Sequence, residues 1–461
     1  MKTKTKKIFK YFFLALLVCF AVYVWKYVPI ICGHVAKEIC SDVFVSGRTP
    51  DDVAQHETGI FPYNLASYTV NVEDSSVSAS VFGFAKRKAI YRNGLGATLI
   101  SEISDTEFRN QSINVASASS INQDTINFPQ GNRIDDIINK DIDKLQLDTT
   151  IRNVFNDPEI QTRAVVVVYD GKIIGEKYAA GYSASSKLLG WSMTKGIVNA
   201  LIGILVQQGK LNINSPVPID QWKNDERNKI TISDLMHMSS GLKFGWFPFG
   251  PSDLTNMLFK EKSMSEFALN KPLKNKSGSV FNYSDGSANI LSYIIRKTVG
   301  DKDYYYFPYE QLFYKIGMNN TLLEVDASGT FVGSSYSYAT ARDWARFGLL
   351  YSNDGVWNGE IILPEGWVKF TATASKAKNS SKEGKYGALW WVNAEDNINS
   401  INKKYPHVPS DCFSCQGWDG QYVWVIPSKK LVVVLMSFDH DRKLDPDTFL
   451  SEVIKALPKQ P

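Results

Sequence analysis

Only five histidines and five cysteines occur in 461 residues. No H-E-x-x-H run or comparable cluster is present, so no metal is expected. No G-x-S-x-G elbow occurs, and none of His34, His56, His237, His407 and His440 lies in a recognisable triad context. A Ser-His-Asp hydrolase is therefore disfavoured. Charge of one sign is also scarce. The net charge is +4, and no basic stripe with interleaved aromatics is seen, which argues against a nucleic-acid partner. No internal repeat and no cofactor motif appear, and no cofactor is expected. Aromatics, by contrast, make up 13% of the chain, as suits a globular protein.

The N-terminus carries a targeting pattern. Lys2, Lys4, Lys6, Lys7 and Lys10 precede an uncharged run from Tyr11 to Trp25. That is a positive n-region followed by an apolar h-region. No A-x-A-like cleavage site follows, so residues 1–32 read as a signal-anchor or a signal segment. The lysines stay cytoplasmic and the rest is exported. The expected location is periplasmic or extracytoplasmic, anchored to the cytoplasmic membrane. In such an oxidising compartment disulfides are favoured, and Cys412-Phe413-Ser414-Cys415 is expected to form a small one. Cys32 and Cys40 lie about 12 Å apart along a continuous helix, too far to bridge. A bond between them requires a turn, for which Gly33 is the candidate.

Residues 33–108 read as a β-rich appendage. Strands are expected over Ser76 to Phe84 and Ala89 to Ile100, joined by the basic turn Lys86-Arg87-Lys88. The polar stretch at 109–133 reads as a linker, and 134–461 as the main domain. Ala164 to Ile174 holds a strand, an Asp170-Gly171 turn and a second strand. Helices are expected at Ile230 to Met238 and Tyr338 to Tyr351. Strands return at Tyr422 to Ile426 and Leu431 to Phe438. This order predicts an α/β (α+β) domain: one antiparallel sheet built from both ends, with a helical lobe.

Ser192-Met193-Thr194-Lys195 opens an apolar helix that stops near Gln207-Gln208-Gly209. Positions i and i+3 share a helix face, which puts the Ser192 hydroxyl beside the Lys195 amine. A serine becomes a nucleophile when a neighbouring base takes its proton, and burial makes a lysine a better base. Ser375-x-x-Lys378 matches the same letters but reads as a surface loop. Tyr283-Ser284-Asp285 follows a strand-like approach and offers a second proton carrier. Tyr351-Ser352-Asn353 is the closer letter match to Y-x-N, but it sits at a helix end and reads as structural. Gly417-Trp418-Asp419-Gly420-Gln421 precedes a strand and allows close backbone approach.

Taken together, Ala164–Gly171, Gly190–Gly196 with its helix, Ile230–Leu242, Phe281–Ile290, Ala341–Trp367 and Gly417–Val434 resemble the serine β-lactamase-like hydrolases over roughly Ile134 to Pro458. That group spans class C β-lactamases, DD-peptidases and esterases of that fold, and the likeness is nearest to the nylon-oligomer-hydrolase-like branch. The resemblance implies roles. Ser192 would be the acylated nucleophile, Lys195 its base partner and Tyr283 the second proton carrier. The backbone N–H groups of Ser192 and Gln421 would form the oxyanion hole. Asp285, Trp418, Asp419 and Gly420 would line the substrate site, with Trp246, Phe247, Trp390 and Trp391 as further wall candidates. Asp285 stands where the family has asparagine, and Trp418 where it has the K-T-G lysine. The expectation is an exported serine hydrolase that forms an acyl-enzyme on an ester or small amide. A cell-wall DD-peptidase or transpeptidase and a catalytically silent binding relative are the alternatives.

Overall fold

The structure is a computed structural model that describes residues 2–111, 123–134, 140–378, 385–394 and 403–459. It divides into two compact units.

The first unit comprises residues 1–111 together with 244–264 and 326–328. Its spine is α1 (Lys2–Phe44), one unbroken helix. Residues 7–19 and 21–26 of the helix are exposed, and most of the residues from Tyr27 to Asp42 are buried. Its 18-residue apolar window has mean hydropathy 2.1, which by length and composition is enough to cross a membrane. The buried half lies on a four-stranded antiparallel sheet of β1 (Ala66–Asn71), β2 (Ser76–Val81), β3 (Phe84–Arg92) and β4 (Gly96–Leu99), in sequence order. Gly33 is needed for close approach, because a Cβ there would lie 2.7 Å from the Phe259 carbonyl oxygen. Gly33 is thus a packing contact within the helix and makes no turn. Cys32 and Cys40 lie eight residues apart on this one helix and are not joined by a disulfide. The β2–β3 turn also differs from expectation. Phe82 (φ 51°) and Gly83 (φ 80°) make it, and Lys86-Arg87-Lys88 runs inside β3 with Lys88 opposite Ser78. Two successive left-handed residues form a tight hairpin turn whose twist matches the strands.

Residues 244–264 and 326–328 fall in the span that composition assigns to the main domain, yet they pack in the first unit. The polar stretch expected as a linker lies partly outside the described residues.

The second unit is built on a six-stranded antiparallel sheet. Helix α2 (Lys144–Asn156) leads into β5 (Thr162–Tyr169) and β6 (Lys172–Tyr178). Then come α3 (Thr194–Gln207), α4 (Asp285–Val299) and α5 (Ala341–Ser352). The chain closes with β7 (Trp391–Val392), β8 (Phe413–Gly417), β9 (Gln421–Ile426), β10 (Leu431–Ser437) and α6 (Pro446–Lys455). The sheet order is β7-β8-β9-β10-β5-β6, so both ends of the domain meet at β10–β5. Val165 and Val167 face Leu147, Ile151, Phe449 and Leu450 of α2 and α6. The opposite face meets α5, where Gly348 lies against Val432 and Val423. Burial on both faces explains the unbroken valine run from Val165 to Val168. The Asp170-Gly171 turn has φ of 46° and 77°, as a two-residue hairpin requires.

Cys412 and Cys415 are also free, contrary to the disulfide expectation. Residues three apart in extended chain point to opposite faces. Cys412 joins the core under α2 and α6, while Cys415 packs on Gly196 of α3.

Candidate active site

Helix α3 is buried from Thr194 through Leu205, as an element apolar on all sides must be. A single turn, Trp191–Met193, leads into it and carries Ser192. Trp191 has φ 47°, a strained value for a bulky residue, at the position preceding the serine.

One turn on, Lys195 is fully enclosed. Its Nζ donates to Ser192 Oγ at 2.9 Å, to Asp285 Oδ1 at 2.9 Å and to the Ser334 carbonyl at 2.8 Å. All three ammonium protons are therefore used. Burial pushes this amine down, but the charges of Asp285 and Tyr283 outweigh it, and Lys195 sits above the ordinary lysine value. Asp285 is the first residue of α4, where the helix dipole favours a carboxylate.

Tyr283 lies just before Ser284, the N-cap of α4. Lys195 Nζ lies 5.0 Å from its ring centroid. Burial raises the Tyr283 phenol above its ordinary value. The Lys195 charge and hydrogen bonding with Ser192 oppose that only in part. The Tyr283 loop is clamped by the Leu235–Leu242 segment. The Met238 carbonyl accepts from Asn282 N–H at 2.8 Å, and Met238 Sδ accepts from Ser284 N–H at 3.4 Å. His237 in that segment is structural. Its ring packs edge-on against Phe370, and burial lowers its pKa.

Gly417 to Gln421 is the β8–β9 hairpin, with Asp419 (φ 60°) and Gly420 (φ 77°) at its tip. A Cβ on Gly417 would lie 2.2 Å from the Gly190 carbonyl oxygen, so only glycine lets β8 reach the Ser192 turn. The Gln421 side chain does unexpected work. Its Nε2 donates to the carbonyls of Trp418 (3.1 Å), Asp419 (2.9 Å) and Ser437 (2.7 Å). Its Oε1 accepts from Arg163 Nη2 at 3.1 Å. The Asp419 carboxylate pairs with His440 Nδ1 at 2.7 Å, and burial raises its pKa.

The structure thus gathers Ser192, Lys195, Tyr283 and Asp285 into one contact set and brings the Gly417–Gln421 hairpin alongside the Ser192 turn. Of the wall candidates, Trp391 stacks on Tyr283 at 5.7 Å and 23°. Trp390 is a core residue against Tyr351 and Phe347. Trp246 and Phe247 belong to the first unit. The Tyr351 hydroxyl donates to Asn199 Oδ1 at 2.6 Å deep in the core, in keeping with a structural role. Sequence reasoning missed the Ser334 carbonyl, Arg163 and the Gln421 side chain. A backbone oxygen carries no residue signature, and Arg163 is 258 positions from Gln421.

Residues 147–448 match the family described as Beta-lactamase. The 6-aminohexanoate-dimer hydrolase of Paenarthrobacter ureafaciens is 21% identical over 313 residues, covering 63% of this chain and 75% of that protein. Two solved structures share the fold. A family VIII carboxylesterase superposes with TM-score 0.52 at 15% identity, over 70% of this chain and 98% of that one. A penicillin-binding-protein homologue from Caulobacter crescentus superposes with TM-score 0.53 at 15% identity, over 70% and 99%.

Proposed function

The chain belongs to the beta-lactamase family, and on that premise we propose an exported, membrane-anchored serine hydrolase that cleaves an ester or small amide through an acyl-enzyme on Ser192. The observation that carries the reading is the buried Lys195 amine 2.9 Å from Ser192 Oγ, with Tyr283 against both.

Ser192 Oγ attacks the substrate acyl carbon, and its proton passes to the Lys195–Tyr283 pair in its singly deprotonated form. The pair then protonates the leaving oxygen or nitrogen as the acyl bond breaks. Water follows the same route in reverse roles and releases the acid. The backbone N–H groups of Ser192 and Gln421 would hold the developing oxyanion. Because Asp285 keeps Lys195 protonated, the reactive form of the pair is the minor one at neutral pH. Trp418 presents an indole where a lysine would bind a carboxylate, which favours esters and small amides over β-lactams.

The saturated Lys195 ammonium also supports a second reading, a silent relative that binds without turnover. Fluorophosphonate labelling of the full chain, read by intact mass and peptide mapping, separates the two. A single adduct on Ser192 is expected of the hydrolase. No adduct on folded protein overturns it in favour of the binding reading.

A further inference from the structure

Large aromatic side chains are unusually exposed in the first unit. Phe82, Phe84 and Phe61 are 81%, 74% and 76% exposed, and Phe247 and Phe249 each 52%. They come from three separate loops, and each loop touches α1 over the same short stretch. The Phe249 carbonyl accepts from the Tyr27 hydroxyl at 2.9 Å, and a Cβ on Gly250 would lie 3.1 Å from the Tyr23 hydroxyl. Tyr63, two residues from Phe61, stacks on His34 at 4.0 Å. The Phe84 carbonyl lies 3.8 Å from Cys32 Sγ. That stretch, residues 23–34, is where α1 passes from exposed to buried.

The opposite end of the same sheet is different. Phe44, at the far end of α1, stacks on Tyr91 at 5.6 Å, and Tyr91 N–H bonds the Ser75 carbonyl in the β1–β2 turn. The β1–β2 turn is therefore separated from the Phe82 turn by the length of β2, about 20 Å. Among the large exposed side chains there is Val72, a residue with no aromatic ring.

Soluble surfaces rarely gather apolar rings this way without a partner. Phe side chains on interfacial protein segments bury their rings in the headgroup–acyl boundary of a bilayer, the level at which a membrane-spanning helix emerges. We propose that Phe61, Phe82, Phe84, Phe247 and Phe249 form a collar around the emergence point of α1 and sit in the phospholipid interface of the outer leaflet. The stretch from Lys7 to Lys26 spans about 30 Å as helix, the thickness of a hydrocarbon core. The collar then begins where the span ends. Lys26 and Lys86, both exposed, lie at the level of the phosphates. The first unit is thereby seated on the bilayer by five rings as well as by the helix. This inference rests on the anchor reading above.

The test uses the full chain with Cys19→Ser, since Cys19 is the exposed native thiol and the other four are buried. Single cysteines are introduced as Phe82→Cys, Phe249→Cys or Val72→Cys and labelled with an environment-sensitive fluorophore. The protein is reconstituted in phosphatidylcholine–phosphatidylglycerol vesicles, with lipid nitroxides near the headgroup as quenchers. Labels at positions 82 and 249 should shift to the blue and lose emission to the quencher, while the label at 72 keeps its emission. A chain that floats with vesicles but is quenched at none of the three sites overturns the collar and leaves the anchor. Equal quenching at all three sites also overturns it. A chain that does not float overturns the anchor and the collar together.

Discussion

Lys195 Nζ and Asp285 Oδ1 form an ion pair of 2.9 Å with both side chains almost wholly buried, 1% and 3% exposed. The pair sits directly beneath Ser192, and it governs how the site would titrate.

Asp285→Asn should move the pH–rate profile toward acid. In the native chain the Asp285 charge holds Lys195 above its ordinary value, so kcat/KM climbs through the alkaline range as the pair loses its proton. Asparagine removes that charge and leaves burial, which lowers a lysine pKa, so the rising limb should move to lower pH. Activated-ester hydrolysis measured against pH decides this. The native Lys195 also stabilises the fold fully below its unfolded value of about 10.4. That contribution is lost as pH rises through the higher folded value. Alkaline melts of the two proteins should therefore differ less than neutral ones.

Ser192→Ala should abolish ester turnover and fluorophosphonate labelling while leaving the melting temperature near native. Tyr283→Phe should lower kcat by about 10²–10⁴-fold, the range for a positioned acid–base group. Steady-state kinetics on folded variants check both. Turnover retained in Ser192→Ala would end the acyl-enzyme reading.

Gln421→Ala leaves the backbone N–H in place but removes the side chain that ties Trp418, Asp419 and Ser437 together. Gln421 is in this sense a positioning residue as well. We expect kcat to fall by about 10²-fold, as for a lost oxyanion donor, with KM changed much less. A KM effect alone would show that the hairpin holds substrate rather than the oxyanion.

Trp418→Lys restores the cation that the family likeness puts at this position. Penicillin acylation, followed by intact mass, should become faster. An unchanged rate would remove Trp418 as the reason for ester preference.

Reducing agent should leave the melting temperature unchanged. Cys412 precedes β8 and Cys415 lies within it, their sulfurs in different parts of the core, and burial pushes both thiols well above their ordinary values. A lower melting temperature in dithiothreitol would show a disulfide.

Much of the site was legible because its chemistry is local. Ser192 and Lys195 are one helical turn apart, so spacing alone places hydroxyl beside amine. The sheet strands were legible from the valine run at Val165–Val168 and the Asp170-Gly171 turn, where pattern and turn chemistry agree. The β2–β3 turn was misplaced because three consecutive charges look like a loop, whereas Phe82 and Gly83 supply the left-handed pair that a hairpin needs. The Cys412–Cys415 disulfide was misjudged because the C-x-x-C reads as a compact turn, whereas the chain there is entering the extended strand β8, where residues three apart point to opposite faces.

By itself, then, the amino-acid sequence determined the helix that presents Ser192 and Lys195, the antiparallel sheet from both ends of the domain, and an apolar segment long enough to span a bilayer. Each follows from periodicity or short-range geometry. Tertiary structure alone decided that Asp285 saturates Lys195, that Arg163 and Gln421 brace the hairpin, and that residues 244–264 join α1. These relationships join positions 90 to more than 200 residues apart. Only the packed chain brings such groups within the few ångströms at which charge and hydrogen bonding act.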